Sequence, residues 1–134
     1  DQDLGVIVCA ESGNVAGFLC LSTPQFNRTA PGPVTAMIEE FPRHSFAEKS
    51  LDLWQSCICG PVCIERDQRG KGLFGLMYEA IPRTASTCDL AVTLVSARNG
   101  RSLAAHEKVG MKTVFEFEWN EKPYVTLARL LRAK

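Results

Sequence analysis

The stretch Val62-Cys63-Ile64-Glu65-Arg66-Asp67-Gln68-Arg69-Gly70-Lys71-Gly72-Leu73-Phe74-Gly75 constrains this chain more than any other. An apolar run, a charged turn, a glycine-rich bend and a new apolar segment read as strand, bend and helix. Glycine lets backbone N–H groups approach a ligand with no Cβ in the way. The first N–H groups of a helix, and the positive end of its dipole, favour an anion. Arg69 and Lys71 add positive charge at that end. A phosphate-rich ligand suits such a bend, although a glycine-rich turn before a capped helix explains the same residues.

Two patterns fit these glycines. Gly70-Lys71-Gly72-Leu73-Phe74-Gly75 matches the Gly-x-Gly-x-x-Gly of dinucleotide-binding folds. That fold also sets an acidic residue at the end of the next strand to hold a ribose. Asp89 precedes the strand Leu90–Val95 instead of ending it, which counts against the dinucleotide reading. The other pattern is Arg/Gln-x-x-Gly-x-Gly/Ala after an apolar strand, with Arg69, Gly72 and Phe74 in its three places. This resembles the acyl-CoA-binding motif of the GNAT N-acyltransferase superfamily. Phe74 departs from the small residue of the last place, and Gly75 comes one step late. Further on, Asn99-Gly100-Arg101-Ser102 and His106-Glu107-Lys108-Val109-Gly110-Met111 resemble the second GNAT motif. One helix and one strand separate the two motifs, as in that family.

The resemblance implies an α+β fold with a central, mostly antiparallel, twisted sheet flanked by helices. A splayed V between the fourth and fifth family strands is expected to open between the strands ending at Ile64 and Val95. It implies that a pantetheine arm pairs with Val62, Cys63 and Ile64, and that an amide near Val62 polarises a thioester carbonyl. It places the pyrophosphate on the amides of Gly70, Lys71, Gly72, Leu73, Phe74 and Gly75, with Arg69 and Lys71 on the phosphates. Asn99 and Ser102 then reach the cofactor, although Asn99 reads equally well as a helix N-cap. His106 stands where many family members carry a tyrosine that protonates the departing thiolate. To act as an acid it needs a raised pKa, for which Glu107 is the neighbouring cause, and packing beside the cofactor is the competing role. The implied function is transfer of acetyl from acetyl-CoA, the co-substrate, directly to the amine of a small-molecule acceptor, with no metal. The alternative is an acyl-CoA-binding or sensor module that does not catalyse. Family members begin with a strand and one or two helices before the hairpin; from the resemblance these are expected to be short or missing here, either because the chain is a piece of a longer one or because its opening is unusually short.

A chain of 134 residues reads as one domain, 1–134. At this size about 70% of the unfolded surface is buried, enough for a core without staples. Fifteen basic residues balance fifteen acidic ones, which gives no support to a nucleic-acid or anionic-membrane partner. The six cysteines lie mostly in apolar runs and form no Cys-x-x-Cys pair, so they read as packed thiols in a reducing cytoplasm. Cys63 as a nucleophile is weighed against packing, and packing is favoured. Glu65 is a candidate general base, with a charged turn as the plainer explanation.

Along the chain, Val6–Ala10 and Val15–Leu21 read as a hairpin around Ser12-Gly13-Asn14. Val6–Ala10 is expected to be an exposed edge that pairs with another chain, as in a homodimer. The segment 23–33 is loop-like, Val34–Phe41 a short helix stopped by Pro42, and 46–50 a short turn capped by Ser45. Glu39, Glu40, Glu48 and Asp52 of this insert are candidates to line a site for a cationic amine, against a solvated surface. Leu53–Ile64 is a strand interrupted by Gly60-Pro61, where a bulge is expected. Helices follow at Leu73–Ala85, kinked or ended by Pro82, and at Arg101–Val109, closed by Gly110. Leu90–Val95, Met111–Trp119 and Tyr124–Leu131 complete the strands.

Overall fold

A computed structural model describes residues 5–28 and 31–132. β1 (Gly5–Glu11) and β2 (Asn14–Ser22) form the expected antiparallel hairpin. Ser12 and Gly13 both take positive φ, 54° and 84°, a turn whose twist matches that of the strands. A 33-residue connection from Thr23 to Gln55 then holds more structure than its mixed sequence announces. It contains α1 (Pro24–Asn27), α2 (Pro33–Glu40), a 3-10 turn over Phe41–Arg43, a tiny hairpin of β3 (Ser45–Phe46) and β4 (Lys49–Ser50), and a 3-10 turn over Leu51–Leu53. The hairpin replaces the capped turn expected over 46–50. Ala47 and Glu48 take positive φ to close it, a conformation that neither residue type signals.

β5 (Ser56–Ile64) follows, then α3 (Leu73–Glu79), α4 (Ile81–Thr84), β6 (Leu90–Ser96), α5 (Gly100–Lys108), β7 (Lys112–Trp119) and β8 (Lys122–Leu130). The helix expected over 73–85 is in two pieces. Pro82 lacks an N–H and its ring clashes with the carbonyl four residues back, so the chain restarts at Ile81. Among the described residues six strands form one sheet in the order β1-β2-β5-β6-β8-β7, and only β5–β6 is parallel.

The pleat sends alternate residues of the central strands to opposite faces. Cys57, Cys59, Ala91, Val95 and Leu127 meet Met77, Tyr78 and Ile81 of α3 and α4. Ile58, Leu90, Val92 and Ala128 meet Met37, Ile38, Phe41, Leu51 and Trp54 of the insert. The insert is therefore a second layer over β5 to β8. It does not reach β1, whose Val6 and Val8 stay exposed at the sheet edge.

At Gly60-Pro61 the register of β5 against β2 shifts by one residue, from Leu21↔Cys59 to Leu19↔Val62. That bulge changes which side chains face the helices. Before it Cys57 and Cys59 do; after it Val62 and Ile64 do, and Cys63 turns out to the uncovered face. The packed Cys63 expected from the apolar run is thus corrected: its thiol is exposed. Beyond the bulge β2 and β5 lie so close that a Cβ on Gly17 would stand 2.9 Å from the Cys63 carbonyl oxygen and 3.2 Å from Ile64. Gly17→Ala is expected to push β5 aside and destabilise the fold by about 1–3 kcal/mol, the usual scale of overpacking. An unchanged urea midpoint would mean that the two strands yield freely.

Candidate functional site

β5 and β6 pair only over Ser56↔Leu90, Cys57↔Ala91 and Ile58↔Val92. Past that point each strand follows its other neighbour, β5 to Gly17↔Ile64 on β2 and β6 to Ser96↔Tyr124 on β8. A wedge opens between them, as the resemblance implies for the strands ending at Ile64 and Val95, and it starts where Gly60-Pro61 interrupts β5. At its apex Thr93 Oγ1 donates to the Cys59 carbonyl at 2.6 Å, a side chain standing in for a ladder bond.

The hydrogen-bond alternation of β5 determines which backbone groups face the wedge. The Glu65 amide donates to the Ala16 carbonyl at 2.8 Å, so Glu65 and Cys63 are the residues bonded to β2. Val62 and Ile64 turn their N–H and C=O groups the other way, into the wedge. The Ile64 carbonyl accepts from Arg69 Nε at 3.2 Å. The Val62 groups and the Ile64 N–H remain aimed at whatever lies there.

Two cavities meet along this line. One, about 440 Å³, is bounded by Val62, Cys63 and Ile64 of β5, by Arg69 and Phe74, and by Asn99 and Ser102 of α5. It gathers most of the residues that the motifs singled out. Gly70, Lys71, Gly72, Leu73 and Gly75 do not line it; they form the turn from Arg69 into α3 and its first residues. Gly70 and Gly72 stand at φ 81° and 83°, which only glycine adopts without strain. The first bond back into this turn is Leu76 N–H to the Gly72 carbonyl, 3.1 Å, so the amides of Leu73, Phe74 and Gly75 have no acceptor within the helix. Lys71 Nζ donates to Gln68 Oε1 at 3.3 Å.

The other cavity, about 410 Å³, lies on the insert side. Gly60, Pro61 and Val62 of the bulge, Thr93 and Leu94 of β6, Ser102 and His106 of α5, and Asn27 and Val34 of the insert border it. Val62 and Ser102 border both cavities. Asn27 and Val34 were not legible as site residues, because nothing in their sequence setting links them to β5. None of Glu39, Glu40, Glu48 and Asp52 lines either cavity. Glu40 pairs with Arg43 (3.2 Å) and contacts His44, and Asp52 lies 3.9 Å from Arg28. Of the two readings of these carboxylates, the solvated charged surface is the one that the structure supports, and the cationic-amine site is not formed at these cavities.

α5 begins at Asn99, whose side-chain oxygen accepts from the Ser102 amide at 3.1 Å, so the capping role holds. One turn on, His106 is buried with its ring edge-on to Phe74 and Tyr78, centroids 4.9 and 5.6 Å apart. The large residue at position 74 thus fills the groove between α3 and α5. His106 Nδ1 lies 2.7 Å from the Ser102 carbonyl, which can only accept, so Nδ1 carries a proton. Burial pushes the His106 pKa down, against a smaller upward pull from that carbonyl. The raised pKa that an acid needs is absent, and Glu107 does not supply it. Glu65 is exposed, outside both cavities.

The lowered pKa has a consequence for stability. Below about pH 6.5 the unfolded histidine takes up a proton that the folded one resists, so stability falls as pH falls through that window. The contribution has a slope of at most about 1.36 kcal/mol per pH unit and is absent above the window. His106→Gln is expected to flatten the parent's stability curve between pH 6.5 and 5 in chemical denaturation; parallel curves would contradict the shift.

The overall fold recurs in solved structures. An acetyltransferase of the GNAT family from Streptococcus pneumoniae superposes with a TM-score of 0.63 at 12% identity, over 97% of this chain and 68% of that one. The chain has the GNAT acetyltransferase fold. A Salmonella typhimurium protein solved with its cofactor acetyl-CoA has the same GNAT-like arrangement, with a TM-score of 0.64 at 15% identity over 99% and 68% of the two chains. The ribosomal-protein-alanine N-acetyltransferase from Brucella melitensis gives 0.65 at 13%, over 95% and 68%. No family model and no curated protein matches the sequence. The likeness is thus one of fold, and among the described residues no helix is long and apolar enough to cross a membrane.

Proposed function

We propose that this chain is a single-domain, acetyl-CoA-dependent N-acetyltransferase acting on the amine of a small molecule. The observation that carries this reading is the wedge between β5 and β6, with a cavity on each side of Val62. An extended arm that adds to a strand needs backbone groups with no ladder partner, and Val62 and Ile64 present them. The pantetheine arm would lie in the cavity of about 440 Å³, and the acceptor in the cavity of about 410 Å³. Arg69, Lys71 and the turn from Gly70 to Gly75 would hold the phosphates. Bound acetyl-CoA supplies the activated thioester. The N–H of Val62, at the border of the two cavities, would polarise its carbonyl, which is how preorganised amides accelerate acyl transfer. The solved relative with acetyl-CoA supports this choice of co-substrate.

Titration calorimetry of the chain with acetyl-CoA is expected to give micromolar binding and a melting temperature that rises with ligand concentration. Release of CoA thiol across a panel of amines then separates an enzyme from a non-catalytic acyl-CoA sensor. No heat of binding at millimolar acetyl-CoA would remove both.

A further inference from the structure

The described residues that border the cavity on the insert side include a buried histidine and no Asp, Glu, Lys or Arg. An ammonium group entering it meets no carboxylate. His106 is the titratable group there that can take a proton near neutral pH. Its tautomer is set by the structure: Nδ1–H donates to the Ser102 carbonyl at 2.7 Å, so the neutral ring carries a bare lone pair on Nε2. Nε2 has no partner among the described residues. It is also not among the sealed, unpartnered polar atoms, which are Ser56 Oγ, Tyr78 OH and Thr126 Oγ1. The Phe74 and Tyr78 rings, both nearly perpendicular to the imidazole, fix the ring plane. The titratable neighbours are the Tyr78 phenol from α3 and the Cys59 thiol from β5, which borders the same cavity. Burial pushes the Tyr78 pKa up. On α5 itself Arg101, Glu107 and Lys108 are exposed, and Ser102 Oγ lies 3.4 Å from Nδ1.

Resting on the function proposed above, we propose that the acceptor is a weakly basic primary amine on an uncharged, apolar body, and that His106 Nε2 is the general base that takes its proton. The amine lone pair forms the C–N bond to the acetyl carbon. The C–S bond breaks with its electron pair on sulfur. One N–H proton passes to Nε2 and from there to solvent, and the thiolate takes one proton from solvent, so amine and thioester become amide and thiol with no net change in protons. The basicity limit follows from the base. An imidazole at or below its ordinary pKa of about 6.5 faces an ammonium of pKa about 10.4 with roughly four powers of ten against transfer. An α-amino group at about 7.7–8.0 leaves little more than one. The walls set the rest: Val34, Pro61, Val62 and Leu94 offer apolar contact, while Asn27 and Thr93 offer neutral hydrogen bonds.

The first test needs no ligand. Nitrogen-15 NMR of the imidazoles, assigned by loss of one set in His106→Gln, is expected to show Nδ1 protonated, Nε2 bare and a titration midpoint below about 6.5. A protonated Nε2 in the neutral ring, or a midpoint above that value, overturns the base. The second test follows thiol release from acetyl-CoA with aniline and with spermidine as probes. Aniline is expected to exceed spermidine in kcat/KM at least tenfold. In His106→Gln, kcat for aniline should fall by about 10²–10⁴-fold, with the acid limb of the pH profile lost. Acetyl-CoA affinity by calorimetry should stay within threefold. A preference for spermidine, or a kcat and pH profile unchanged in His106→Gln, overturns this inference while leaving the acetyltransferase reading intact. Failure of acetyl-CoA to bind the parent chain overturns both.

Discussion

Replacing Gly72 by valine is expected to weaken acetyl-CoA binding at least a hundredfold. Gly72 caps α3 at φ 83°, and the next amides, those of Leu73, Phe74 and Gly75, have no acceptor within the helix. In the proposed site these amides meet the pyrophosphate. A β-branched residue is strained at this φ by about 1–3 kcal/mol, and the chain relieves that by rotating the turn. Each hydrogen bond to a charged group is worth about 1.5–3 kcal/mol, so two misdirected amides cost roughly two to four powers of ten in affinity. A Cβ at Gly72 meets nothing within 4 Å, so no clash with the rest of the protein unfolds the variant. Circular dichroism should therefore be native while calorimetry with acetyl-CoA falls silent. Native affinity in Gly72→Val would move the phosphates away from this turn and leave Arg69 and Lys71 as surface charges. Gly72→Ala, with a smaller strain, should fall between the two.

The wedge was legible because its cause is local. Gly60-Pro61 interrupts an apolar run, a proline cannot donate to a ladder, and the strand has to leave its neighbour there. The two motifs were legible for a similar reason: glycine at positive φ and asparagine at an N-cap each answer a backbone requirement within a few residues. The insert was harder. Met37, Ile38 and Phe41 do have the spacing of one helix face, but that face is short, and nothing local says which part of a sheet it covers. The four carboxylates nearby offer only their charge as a signal, and charge does not say which way a surface residue points. Cys63 shows the cost of ignoring parity. A bulge was expected at residue 60, and one extra residue moves every later side chain of β5 to the other face. That shift puts Val62 and Ile64 toward the helices and Cys63 outward. The sequence sets His106 on its helix but does not say which ring nitrogen carries the proton. The bond from Nδ1 to the Ser102 carbonyl depends on a rotamer, and the only signal in the sequence is the four-residue spacing that makes such a bond reachable.

Phe41→Ala is expected to cost about 3–5 kcal/mol, the range for removing a buried aromatic ring. That is a large share of the 5–15 kcal/mol that holds a typical domain. Phe41 is only 2% exposed and packs with Met37, Ile38, Leu51 and Trp54 under the 3-10 turn that ends α2. The contacts that could compensate are few and partly open to solvent: His44 stacked on Phe115 at 4.0 Å, and Lys49 over the Trp54 ring at 4.4 Å. The loss should appear in the urea midpoint with a nearly unchanged slope if the whole sheet unfolds together. A loss below about 1 kcal/mol would mean that the insert is held by other contacts. The functional effect should be one-sided. Asn27 and Val34 of the insert border the cavity assigned to the acceptor, whereas no described insert residue borders the cavity assigned to pantetheine. At a temperature where the variant remains folded, acetyl-CoA affinity should stay near that of the parent while KM for the acceptor rises. Equal losses in both would show that the insert supports the whole wedge rather than one wall of it.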